Sequence, residues 1–153
     1  MTREQLCELT IRMLDQLELE WGRSDDEPLN LVACAGQDSC GDLPIFIEFD
    51  ELRDSDGVAW PVILLDLAVL EGVDGDLLPS RLVADVNNEL MVGKLALDSE
   101  GRLAVQHAMV GWPGAAEYRV AVEAIVANAD ALREQFGDDL AGNDPVTYDD
   151  LFA

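Results

Sequence analysis

The sequence is poor in positive charge. Nine Lys and Arg stand against 32 Asp and Glu, for a formal net charge of −23, and Lys94 is the only lysine. A surface of that sign repels phosphate backbones and anionic lipid headgroups, which removes nucleic acid and membrane surfaces from the expected partners. The same imbalance favours solubility and steers basic partners toward the chain. Histidine is as scarce: His107 stands alone, so no metal centre can be built on several imidazoles. Three cysteines, Cys7, Cys34 and Cys40, form neither a CxxC pair nor zinc-ligand spacing, and their odd number opposes a closed disulfide framework. Long apolar runs are missing too. Asp66 and Glu71 interrupt the segment from Val58 to Val73, short of the roughly 18 residues that cross a bilayer. The start, Met1-Thr2-Arg3-Glu4-Gln5, has no basic region leading into an apolar centre, so a cytoplasmic protein is expected.

What is present is enough apolar material for one core: 49% of 153 residues are hydrophobic, within the usual size of a single domain. Leu6, Leu9, Met13, Leu14, Leu17 and Trp21 recur at helical spacing, predicting a helix from Arg3 to Trp21 with Thr2 and Gln5 as its capping box. The polar stretch from Gly22 to Pro28 ends it. Three strands are expected next, over Leu29–Ala35, Pro44–Phe49 and Val58–Leu70, separated by the turn-forming segments 36–41 and 53–57. Leu78, Leu82, Val83, Val86 and Leu90 mark a second helix, with Pro79 and Ser80 at its start. Met91–Leu97 and Leu103–Val110 form a hairpin around the acidic glycine turn 98–102. Pro113-Gly114 opens a last helix, whose stripe of Tyr118, Val122, Ile125, Ala129, Leu132 and Phe136 stops at Gly137. The predicted order is α-β-β-β-α-β-β-α: an α+β fold with an antiparallel sheet of about five strands and three helices. Residues 1–137 make the domain, and 138–153 an acidic tail without a basic residue.

Few groups suit catalysis. A Cys34–His107 or Cys40–His107 pair is the only nucleophile and base combination that spacing leaves open. No GxSxG elbow, Walker A loop or GxGxxG follows a strand. Asp50, Asp54, Asp56 and Gly57 lack the ligand order of a calcium loop and read as a hairpin turn. A non-enzymatic protein without cofactor or metal is expected.

The segment from Val86 to Val105, Val-Asn-Asn-Glu-Leu-Met-Val-Gly-Lys-Leu-Ala-Leu-Asp-Ser-Glu-Gly-Arg-Leu-Ala-Val, resembles the YbjN family: a helix ending in asparagines, a strand, an acidic glycine turn and a second strand. The element order from Met1 to Gly137 is similar to the fold that this family shares with class I type III secretion chaperones. The resemblance implies a small, acidic homodimer that holds peptide segments of other proteins. Read without the family, Asn87 and Asn88 suit a helix end, where they satisfy terminal carbonyls or accept left-handed backbone.

Trp60, Trp112 and Tyr118 fall near element edges, where aromatic rings either pack into the core or anchor a partner. An apolar groove with an acidic rim would accept a basic, amphipathic peptide segment of another protein, apolar contacts giving affinity and charge giving rate and selection. Leu140, Val146, Tyr148, Leu151 and Phe152 are interspersed with acids in the tail, which is expected either to stay disordered or loosely packed or to fill such a groove in cis or in trans. The expected function is a peptide-binding chaperone or adaptor. The alternative is a regulatory or scaffold protein that binds a folded partner.

Overall fold

The computed structural model describes residues 1–27, 29–34, 43–137, 140 and 145–152. Helix α1, Arg3–Gln16, opens on the expected capping box: the Gln5 amide donates to Thr2 Oγ1 (3.2 Å) and the Thr2 amide to Gln5 Oε1 (2.9 Å). It ends at Gln16, before Trp21. Glu18 takes a left-handed backbone (φ 58°), and the amides of Glu18 and Leu19 donate back to the carbonyls of Asp15 (3.1 Å) and Leu14 (3.0 Å). Glycine normally makes this stop. A glutamate in its place hides the helix end from composition, and the chain returns as strand β1, Trp21–Arg23.

Strands β2 (Leu31–Cys34), β3 (Pro44–Arg53) and β4 (Ala59–Leu70) follow, then helix α2 (Ser80–Glu89), strands β5 (Lys94–Leu97) and β6 (Leu103–Val110), and helices α3 (Ala115–Phe136) and α4 (Tyr148–Phe152). One antiparallel sheet runs in the order β1-β2-β3-β4-β6-β5, so the fold is α+β as expected. Strand β1 and helix α4 are additions to the predicted order. Ala35, the 36–41 turn, Cys40 and most of residues 138–144 lie outside the described residues.

The β3–β4 and β5–β6 turns share one construction. Asp54 Oδ1 accepts from the amides of Asp56 and Val58, and Asp98 Oδ1 from those of Glu100 and Arg102, each at 2.9 Å. Gly57 (φ 81°) and Gly101 (φ 83°) supply the left-handed residue each turn requires.

Alternation along each strand sorts side chains onto two faces. Ile45, Ile47 and Phe49 of β3 lie opposite Leu67, Leu65 and Ile63 of β4, and all six are buried. Helices α1, α2 and α3 cover this face, adding Leu6, Leu14, Val86, Tyr118 and Ile125 to the core. Two polar side chains tie helices to the sheet. Where β4 bulges between Ala68 and Leu70, Arg133 of α3 donates from Nε to Val69 O (3.0 Å) and from Nη2 to Ala68 O (3.3 Å). Asn87 of α2 donates from Nδ2 to Leu95 O (3.1 Å), while its Oδ1 accepts from Leu95 N (2.7 Å). Its side chain thus stands where a further strand would pair with edge strand β5. That role differs from closing its own helix.

Candidate interaction face

The opposite face carries a different set of residues. Phe46, Glu48, Asp50 and Leu52 of β3 lie across from Asp66, Leu64, Val62 and Trp60 of β4. Leu64, Asp66 and Val62 lie in turn across from Ala108, Gln106 and Val110 of β6. At the β3–β4 hairpin end, Leu52 is 57% exposed, Trp60 49% and Val110 57%. Large apolar side chains exposed together on one sheet face have lost the hydrophobic gain of burial, which a partner would restore.

Local chemistry fixes how Trp60 is presented. Its Nε1–H donates to Asp54 Oδ2 at 2.9 Å. The same carboxylate holds the turn through the Asp56 and Val58 amides. The Trp60 and Val58 donors hold the Asp54 carboxyl below the usual carboxylate range. The indole is therefore oriented before any contact is made, with Asp54 supplying negative charge beside it and Asp50 and Glu48 following along the same face of β3.

Toward the β5 edge the face deepens into a cavity of about 630 Å³, lined by Phe46, Glu48, Leu64, Asp66, Arg102 and Gln106 among others. Arg102 Nη2 sits 2.5 Å from Asp66 Oδ1, and Gln106 Nε2 donates to Asp66 Oδ2 at 2.8 Å. The guanidinium also lies over the Phe46 ring, 5.6 Å from its centroid. Aspartate and aromatic ring together orient this arginine. Lys94, also at the cavity, directs Nζ to the carbonyls of Asn87 (2.9 Å) and Leu90 (3.4 Å), at the end of α2.

The three rings singled out in the sequence are not brought together. Trp60 stands on the open face. Trp112 is half-buried on the helix side, its ring 5.8 Å from that of Tyr118, and Tyr118 has no exposed surface at all. Nor do Cys34 and His107 meet. His107 lies on the helix-covered face opposite Leu65, where its Nδ1 accepts from Gly93 N (3.2 Å) and burial pushes its pKa down. Cys34 lies on the other face in β2, with β3 and β4 between them. Cys40 lies outside the described residues. Sequence reasoning missed Leu52, Val110, Phe46 and Arg102. The alternation in Ile45-Phe46-Ile47-Glu48-Phe49 signals two faces, but which of them stays open depends on where the helices pack.

No family model and no curated protein sequence matches the chain.

Proposed function

We propose that this protein is a non-enzymatic chaperone or adaptor that holds a peptide segment of another protein on the open face of its sheet. The observation that carries the reading is the exposed apolar group Leu52, Trp60 and Val110, set among Glu48, Asp50 and Asp54 on a face that α1, α2 and α3 leave uncovered. Apolar side chains of the segment would cover Trp60 and Leu52, and basic residues beside them would meet the carboxylates. The resemblance of Val86–Val105 to the YbjN family supports the same reading, and extends it to a cytoplasmic homodimer of the kind formed by secretion chaperones.

A peptide array of basic, amphipathic segments followed by fluorescence titration tests it. Trp60→Ala is expected to weaken a captured peptide by about 2 kcal/mol, roughly thirtyfold, as for an aromatic anchor. Unchanged affinity in that variant overturns the placement of the site. Binding only to intact folded partners replaces the reading with a regulatory or scaffold protein.

A further inference from the structure

Part of the open face is already occupied, and by this chain. Tyr148 of α4 packs with Val32 and Cys34 of β2 against Phe46 of β3, and only 6% of its surface is exposed. Four residues on, Phe152 lies over Gly22 of β1: a Cβ at position 22 would stand 2.6 Å from Phe152 Cε1 and 2.8 Å from Cζ. Gly22 has no left-handed backbone to explain it, so the missing side chain serves the approach of the ring. The two rings lie 4.7 Å apart, the natural meeting of side chains four apart on a helix. Thr147 caps the turn, its amide and hydroxyl donating to Asp150 Oδ2 at 3.0 and 2.9 Å.

The seat is shaped for two rings, yet its occupant is electrostatically poor. Asp149 and Asp150 bring two carboxylates to a chain of net charge −23, and Glu20 lies close enough to act on Tyr148. Phe152 remains 46% exposed, so this short helix is held chiefly by one buried ring. Phe46 also lines the neighbouring cavity, which makes the seat continuous with the rest of the open face.

We propose that the β1–β3 part of the open face is a recognition site for a short helical segment carrying two aromatic residues four apart. Tyr148–Phe152 is its resident ligand, displaced by a partner segment with the same aromatic spacing and basic residues in place of the two aspartates. A resident ligand lowers the apparent affinity of a competitor by the fraction of molecules it leaves open.

The test uses the full chain and a fluorescein-labelled peptide of residues 145–152 carrying Asp149→Lys and Asp150→Lys. Polarisation titrations compare the wild type, the Tyr148→Ser/Phe152→Ser variant, and that variant with Gly22→Val added. The double variant is expected to bind about tenfold more tightly than the wild type, because its seat is empty. Gly22→Val is expected to reverse that gain by filling the space of the second ring. Equal affinity in wild type and double variant, indifference to Gly22→Val, or no binding to any of the three overturns the proposal. Should the double variant not fold by circular dichroism, NMR of the wild type decides. Loss of the Phe152–Gly22 proximity on adding peptide supports displacement, and its persistence at saturation overturns it. The readout turns on Gly22 and not on Trp60, so it stands or falls separately from the peptide-holding function.

Discussion

Tyr118 carries a hydroxyl into the core, where Thr10 is equally buried. The two groups face each other, but neither completes a hydrogen bond of good geometry among the described residues. Burial pushes the Tyr118 pKa well above the ordinary tyrosine value, because the phenolate would lose its hydration. The sign of the consequence follows from proton binding. Above about pH 10 an unfolded chain releases the tyrosine proton while the folded chain keeps it, so stability falls as pH rises, by about 1.4 kcal/mol per pH unit. Below that pH the contribution is fully present. Urea midpoints at pH 8 and pH 11 should therefore show a smaller alkaline loss in Tyr118→Phe than in the wild type, with the variant within about 1 kcal/mol of wild type at pH 8. Equal alkaline losses would assign the effect elsewhere. Tyr118 also shows what a single residue type leaves open. An aromatic near a helix start is compatible with an anchor or a core residue, and the helical stripe it shares with Val122 and Ile125 decides for the core.

Among the elements, edge strand β5 is the one whose behaviour depends on a single side chain. Its Leu95 N–H and C=O point away from β6 and are met by the Asn87 amide, which completes the edge as a neighbouring strand would. Unpaired edges recruit other chains. Asn87→Ala is expected to cost about 1–3 kcal/mol through the two unmet backbone groups and to promote association through β5. Thermal melting and sedimentation velocity check both effects, and a variant of wild-type stability and mass would show that water serves the edge equally well. The asparagine was visible in the sequence and so was its helix. Its partner was not, because the bond spans eight positions and two elements. The capping box of α1 and the two aspartate turns were legible for the opposite reason: donor and acceptor lie within four residues of each other. The end of α1 was misjudged because Glu18 occupies a position whose usual signal is glycine.

For the molecule as a whole, the 32 acids far outnumber the nine bases, and most of the charge of −23 is uncompensated. Arg81–Asp85 on α2 and Arg119–Glu123 on α3 are exposed ion pairs of a kind that contributes little. Self-repulsion should dominate the salt response. Raising the salt concentration from low to near molar shortens the screening length to about 3 Å, and is expected to stabilise the fold by about 1 kcal/mol. That corresponds to a rise in Tm of about 2–4 °C for a chain of this size. A calorimetric scan at both salt concentrations measures it, and a falling Tm would mean that the few ion pairs outweigh the repulsion.

By itself the sequence determined the charge, the α+β class, strand β6 at Leu103–Val110 and the hairpin turns at 53–57 and 98–102. These rest on composition and on interactions between near neighbours, which any window of the chain contains. Tertiary structure alone decided that Trp60 stays in the open while Trp112 goes to the helix side, that Cys34 and His107 lie on opposite faces, and that three residues of β1 form a strand. It also decided that the aromatic end of the tail meets Gly22, a contact across nearly the whole chain. One physical reason lies behind the placement of Trp60, Cys34 and His107: a strand has two faces that differ only by what packs on them, and the helices that choose between those faces lie far away in sequence.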